Sequence, residues 1–193
     1  MLNHAVPPPF TYRFRHLSRK ELKDYYQWFI DAIPKGISNL AEAVRQTPGF
    51  ENWRPDFTPS SLDTLGEWFA TQVEKRKRTD EEIEQIKNGL TFLMEISREE
   101  LTDRTFSVAV DVGMYFSQVL LNSHPSLQWN QPFGGKLHID YGQPVLAGFG
   151  AMAFNPVQMM TTLAYGLVNK KQTGRRLREI YDIWSKKVQP AGS

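Results

Sequence analysis

The chain has 193 residues, of which 40 % are hydrophobic and 23 % are charged, and its formal net charge is +2. This length and composition predict one folded domain with a buried core. The sequence contains no cysteine, which excludes disulfides, thiolate catalysis and cysteine metal sites. It also lacks an apolar run of about 18 residues and an apolar N-terminal leader, so we expect no membrane span and a cytoplasmic location.

The first half of the chain carries the signals of amphipathic helices. Residues 1–11 contain three consecutive prolines and are expected to form an extended arm. Ser18 and Glu21 then form a capping box, and apolar residues follow at helical spacing. Pro34 interrupts this stripe, so we expect a kinked or broken helix there. Thr58-Pro59 predicts the start of the next helix, with threonine as the cap and proline in the first turn.

Two further capping boxes predict two more helices. The first spans Thr79 to Glu82, and the second spans Ser97 to Glu100. After the second box, apolar residues share one face of a long segment. We expect this segment to run as a central helix to about Ser123.

The pattern changes after the central helix, where short β-like runs alternate with turn residues. Three runs predict the strands: residues 127–130, 136–141 and 144–149. In the middle run the apolar residues are Leu137, Ile139 and Tyr141. Because side chains alternate across a strand, we expect these apolar residues to face the core and His138 and Asp140 to face solvent.

Two helices complete the predicted fold. Asn155-Pro156 predicts the start of the first, and Gly174 separates it from the second. The predicted fold class is therefore α+β: a mainly helical bundle with a small antiparallel β meander packed on it. We expect a single domain over residues 1–193. Its predicted parts are an extended arm (1–11), a helical part (12–124), the meander (125–150) and the C-terminal helices (155–189).

The sequence contains no recognisable catalytic or metal-binding motif. The four histidines lie at positions 4, 16, 124 and 138, and none has the spacing of a metal site. A glycine-rich stretch at residues 148–153 has the letters of a dinucleotide-binding loop but not its alternating β–α context. We therefore expect no metal, no cofactor and no catalytic centre. The basic residues between positions 170 and 187 are interpreted as a solvated helix face, so nucleic acid is not an expected partner.

An acid and a glycine interrupt the apolar residues of the central helix. Asp111 lies one turn before Tyr115, and three roles fit it: half of a hydrogen-bonded pair in a pocket, an acceptor for backbone amides, or a group that faces water. We favour a structural role, because buried acids need hydrogen-bond partners. Gly113 costs about 1 kcal/mol in a helix interior. It therefore predicts the close approach of a neighbouring element, with Trp129 covering the contact.

This block extends to a longer motif. Asp111-Val112-Gly113-Met114-Tyr115-Phe116, followed by Pro125, Leu127 and Trp129, resembles a pattern found in a loose group of small, uncharacterised bacterial proteins. In that group a D-V-G-x-Y helix precedes an N/H-P-x-L-x-W strand. The resemblance implies an immunity protein, since members of the group often accompany secreted polymorphic toxins. It carries over no functional residue.

Two classes of function stay open on the sequence. The first is a non-catalytic module that neutralises a cognate bacterial toxin by direct binding, through the outward side of the meander. Its expected binding residues are His138, Asp140, Gly134 and Gly135. The second is an enzyme or small-ligand binder with a site dispersed in sequence around Asp111, Tyr115 and His138. The oligomeric state is not indicated by the sequence.

Overall fold

Helices make up most of the architecture. The computed structural model describes residues 14–88 and 95–190, so the predicted arm at residues 1–11 lies outside the described residues. A short 3-10 helix, Phe14–His16, precedes the first long helix. Within the described ranges the α-helices are α1 (Arg19–Arg45), α2 (Ser61–Gln72), α3 (Asp80–Asn88), α4 (Asp103–Ser123), α5 (Pro156–Val168) and α6 (Arg176–Ser185).

Two small antiparallel sheets accompany these helices. The first pairs β1 (Lys75–Lys77) with β2 (Glu99–Leu101). The second has the order β3-β4-β5, with β3 at Gln128–Asn130, β4 at Val145–Phe149 and β5 at Met152–Phe154. Helices and sheets together confirm the predicted α+β class with mainly helical content. Among the helices of the described ranges, none is long and apolar enough to cross a membrane.

Three predicted helix starts are confirmed by their hydrogen bonds. Ser18 accepts from the amide of Glu21, and the Glu21 carboxylate accepts from the amide of Ser18. Thr79 and Glu82 exchange the same two bonds at the start of α3. Asn155 caps α5, with its Oδ1 3.1 Å from the amide of Gln158. These caps form because every partner lies within one helical turn.

Helix α1 passes through Pro34 without the predicted break. Proline removes one amide donor and crowds the preceding turn, which is why a break was expected. However, Ile33 and Ile37 on either side of it are both buried in the main core. Burial of the apolar stripe therefore outweighs the local penalty, and a single helix runs from Arg19 to Arg45.

The predicted helix start at Ser97 to Glu100 is wrong, because this segment pairs as strand β2. The Glu100 carboxylate lies 3.0 Å from Nη2 of Arg78 and also pairs with Arg76 across the ribbon. The central helix α4 starts later, where Thr102 accepts from the amide of Thr105. The end of this helix at Ser123 agrees with the prediction.

The predicted start of α2 at Thr58-Pro59 is also wrong, by two residues. The hydroxyl and the amide of Thr58 both donate to Oδ1 of Asp56, at 2.8 and 2.9 Å. The threonine is therefore engaged in a local turn and does not cap the helix, which begins at Ser61.

The middle strand of the predicted meander does not exist. Residues 136–141 form turns, and the third strand of the sheet is instead β5. The amide of Gly142 donates to the carbonyl of Pro132 at 2.8 Å, and this bond closes the segment into a loop. Leu137 and Ile139 are consequently 84 % and 61 % exposed, although they were expected to face the core.

Helix α4 forms the centre of the core. Its residues Val112, Tyr115 and Phe116 are completely buried, and the helix packs against α1 on one side and α5 on the other. A Cβ atom at Gly113 would lie 3.0 Å from the carbonyl oxygen of Pro156, so α4 and α5 approach closely at this glycine. The nearest atoms there belong to Pro156 and Met160, and not to the predicted Trp129, whose ring contacts Phe29 at 5.6 Å.

Candidate functional site

A loop at residues 132–139, here called the projecting loop, carries two of the most exposed apolar side chains. These are Leu137 and Ile139, on either side of an exposed histidine. Single exposed apolar residues are ordinary on protein surfaces. A pair on one loop is different, because grouped apolar exposure marks interaction surfaces.

The C-terminal end of the projecting loop is anchored to helix α5 by a buried polar network. Asn155 donates from Nδ2 to Oδ1 of Asp140 at 2.9 Å and to Oε1 of Gln143 at 3.0 Å. Gln143 in turn donates to the carbonyl of Ile139 at 2.8 Å. Asp140 is only 7 % exposed, so its predicted position on the surface is wrong. It supports the loop from inside.

Helix α1 holds the same loop from its other side. The side chain of Gln131 donates from Nε2 to the carbonyls of Leu22 and Gly142, at 2.6 and 2.9 Å. Tyr141 is buried together with Phe14 and Leu22 in a small separate core. Gly142 has φ +69°, and a Cβ there would lie 2.7 Å from the Leu22 side chain. The loop is therefore fixed on a rigid base.

The predicted binding residues divide between the surface and the interior. Gly134, Gly135 and His138 are exposed in the projecting loop, as expected. His138 also stabilises the loop, because its Nδ1 accepts from the amide of Asp140 at 3.2 Å. The predicted sides are right for His138, which is exposed, and for Tyr141, which is buried, and wrong for Leu137, Ile139 and Asp140.

Positive charge surrounds the apolar pair. Arg15 donates from Nη2 to the carbonyl of Leu137 at 3.2 Å. The guanidinium of Arg19 lies 4.6 Å from the centre of the Phe133 ring. Lys136 is exposed and directly precedes Leu137 in the chain.

Asp111 occupies an environment that none of its three predicted roles describes. It is 9 % exposed and lies between α4 and α1, where a Cβ at Gly36 would be 3.1 Å from its Oδ1. Within residues 14–88 and 95–190, no hydrogen bond or ion pair reaches its carboxylate. Burial without such a partner raises the pKa of Asp111 to about 7.

The dispersed site around Asp111, Tyr115 and His138 is not assembled by hydrogen bonds. The Tyr115 hydroxyl shares a bond of 2.6 Å with the Ser61 hydroxyl and accepts from the amide of Phe57 at 3.1 Å. These bonds hold the 50–60 loop against α4. His138 lies on the projecting loop, bonded to its own neighbours.

Sequence reasoning missed a serine–histidine pair. Nε2 of His124 lies 2.7 Å from Oγ of Ser185, although the two residues are 61 positions apart. Burial lowers the pKa of His124, which favours the neutral ring. However, in the described part of the chain no carboxylate orients the imidazole. Ser185 also ends helix α6, where the dipole is negative and opposes an oxyanion. The pair fits a structural contact.

The basic segment near the C-terminus is partly neutralised. Arg178 pairs with Asp63 at 3.2 Å and with Asp182 at 3.1 Å. Arg176 pairs with Glu179 at 2.8 Å. This pairing agrees with the interpretation of a solvated helix face.

Comparisons with known proteins add no assignment. No family model, no curated protein and no solved structure matches this chain. Among the residues that the structure describes, no group of three or more metal-ligating side chains is close enough to hold an ion.

Proposed function

We propose that this protein is a non-catalytic binding module, that its partner is another protein, and that the projecting loop is its recognition surface. The observation that carries the proposal is the exposure of Leu137 and Ile139 on a loop with a fixed shape. A few well-packed anchor residues dominate the free energy of protein association, and an exposed apolar pair on an ordered loop can fill a pocket of a partner. A loop that is already ordered avoids much of the entropy lost on binding.

The polar groups beneath the loop support the same proposal. Asp140, Gln143 and Asn155 satisfy one another and the adjacent backbone. Two of these three groups are carboxamides, which neither titrate near neutral pH nor act as nucleophiles, and the Asp140 carboxylate accepts from one of them. Their arrangement fits a scaffold for recognition better than a reactive centre.

The more specific role that we propose is that of an immunity protein, which binds a cognate toxin domain in the bacterial cytoplasm and blocks its action. The resemblance of the D-V-G-x-Y block supports this role. Occlusion of a toxin requires a large complementary surface, typically about 1,600 Å² in total, and a few dominant anchors. The projecting loop supplies two such anchors.

The test is co-expression with a toxin encoded beside this gene, in a sensitive host. We expect the wild-type protein to restore growth and the double variant Leu137→Glu/Ile139→Glu to lose protection while it stays folded. Ile183→Glu is the matched control, because Ile183 is 42 % exposed on helix α6. If the double variant still protects the host, the projecting loop is not part of the interface with the toxin. If the wild-type protein does not protect the host from the toxin encoded beside its gene, the proposed immunity role is wrong.

One observation favours the alternative of a small-ligand site. A buried carboxylate with a pKa near 7 and no partner is a feature of functional groups as well as of strained cores. Asp111→Asn separates the two functions, because the amide keeps the shape but loses the charge. A binding module with this variant still protects its host, whereas a protein that works through the Asp111 carboxylate loses its activity.

A further inference from the structure

Three cationic side chains lie on or beside the projecting loop. Arg15 touches the backbone of Leu137, Arg19 covers the Phe133 ring, and Lys136 is exposed on the loop itself. Asp140, the acid that follows the loop in the chain, is buried and accepts from Asn155. The exposed border of the apolar pair is therefore cationic.

These three cations also have no ion pair within the described ranges, unlike many cations elsewhere on the surface. Lys75, Arg76 and Arg78 pair with glutamates of the β ribbon and α3. The nearby glutamate of helix α1, Glu21, is engaged with the amide of Ser18. Arg15, Arg19 and Lys136 are thus available to carboxylates from outside the molecule.

From this pattern we infer the chemistry of the partner: an apolar recess flanked by carboxylates, which receives Leu137 and Ile139 and pairs with the surrounding cations. The inference rests on the proposed function and specifies its partner. Desolvated anchor residues at the centre of an interface supply most of the affinity, while complementary charge accelerates the encounter and fixes the orientation. Arginine suits this second task, because its planar guanidinium can bind a carboxylate through two parallel bonds.

An anionic lipid surface also attracts basic and apolar groups, but the loop fits it less well. Its two exposed apolar side chains are both aliphatic, and the ring of Phe133 is half-buried beneath Arg19 and against Tyr141. Membrane docking by a surface element depends on a larger apolar area and on aromatic residues at the interface. The observations therefore favour an acidic protein surface.

The test uses the full chain, labelled with ¹⁵N, and a synthetic amphipathic peptide in which glutamates flank leucines. We expect this peptide to shift the amides of residues 133–140 and of Arg19. A peptide with lysines in place of the glutamates should leave them unchanged. Lys136→Glu should weaken binding by roughly three- to tenfold at low salt, and added salt should reduce this difference. Lys171→Glu is the control, since Lys171 is exposed on the α5–α6 turn.

Equal binding of the acidic and basic peptides, or no effect of Lys136→Glu, would overturn the inference about charge. The proposed function would still stand if Leu137→Glu/Ile139→Glu abolished protection in the host. Co-sedimentation with vesicles of about 30 % phosphatidylserine in phosphatidylcholine, lost in Lys136→Glu, would reassign the surface to lipid and overturn the inference.

Discussion

The side chain of Asn155 donates a hydrogen bond of 2.9 Å to the carboxylate of Asp140. The same asparagine caps helix α5 through its Oδ1. One residue thus joins the start of a core helix to the end of the projecting loop, and the shape of the loop depends on the position of that helix.

We expect Asn155→Ala to lower the free energy of unfolding by roughly 2–4 kcal/mol, because it removes a helix cap and leaves the buried Asp140 without its donor. Urea denaturation measures this change, and hydrogen exchange should show faster opening of residues 133–141. Asn130→Ala is the control, because the exposed side chain of Asn130 accepts from the adjacent amide of Gln131 and takes no part in the buried network. Equal stability of the two variants would show that the network contributes nothing.

Substitution of Gly113 by a larger residue should destabilise the domain. A Cβ at this position would lie 3.0 Å from the carbonyl oxygen of Pro156, which is backbone and cannot rotate away. We expect Gly113→Leu to destabilise the domain by roughly 1–3 kcal/mol, and Gly113→Ala to have a smaller effect because alanine favours helix. Gly135→Ala is the control, since a Cβ there would meet no atom within 4 Å from the described residues other than its chain neighbours. Thermal unfolding of Gly113→Leu at the wild-type temperature would contradict the close packing of α4 and α5.

Asp111 should make the protein less stable as the pH rises. Its folded-state pKa of about 7 lies above the ordinary value of 3.8, so the folded state binds a proton that the unfolded state has released. The free energy of unfolding should therefore fall between about pH 4 and pH 7, by an amount on the order of 4 kcal/mol.

The variant Asp111→Asn isolates this effect. Denaturation at several pH values should show a flatter profile for Asp111→Asn than for the wild-type protein. Asp31→Asn, at an exposed aspartate on helix α1, should leave the profile unchanged. If the slope persists in Asp111→Asn, another group causes it.

The apolar pair of the projecting loop should matter little for folding. Leu137→Ser and Ile139→Ser remove side chains that are mostly exposed, so we expect changes in stability within about 0.5 kcal/mol. Tyr141→Ser, two residues further on, empties part of a buried core and should cost roughly 2–4 kcal/mol. A large loss of stability in Leu137→Ser would mean that this residue serves the fold and not a partner.

Sequence alone identified the features that depend on neighbouring residues. The boxes at Ser18 and Thr79 and the cap at Asn155 formed as predicted, because each cap bonds within one turn. The box at Ser97 failed because Glu100 bonds to arginines about 22 positions away, which a local pattern cannot reveal. The predicted helix cap at Thr58 was wrong because its hydroxyl donates to Asp56.

At the candidate site, too, the predictions failed where the structure depends on contacts between distant residues. Alternating residues at 136–141 predicted a strand, but the bond from Gly142 to Pro132 closes a loop that exposes Leu137 and Ile139, which were expected inside. The burial of Asp140 depends on Asn155, fifteen positions later. The pair of His124 and Ser185 joins still more distant segments. Such contacts follow from the tertiary fold, so spacing within the sequence gives no signal of them.

The bond from Gln131 to Leu22 links residues 109 positions apart. A ribosome adds roughly 5–20 residues per second, so this separation corresponds to roughly 5–20 seconds of synthesis. During that time the apolar side chains of Phe14 and Leu22 have no Tyr141 to cover them. The small core around Leu22 can therefore close only late in synthesis, and the projecting loop takes its shape only after residue 142 has left the ribosome.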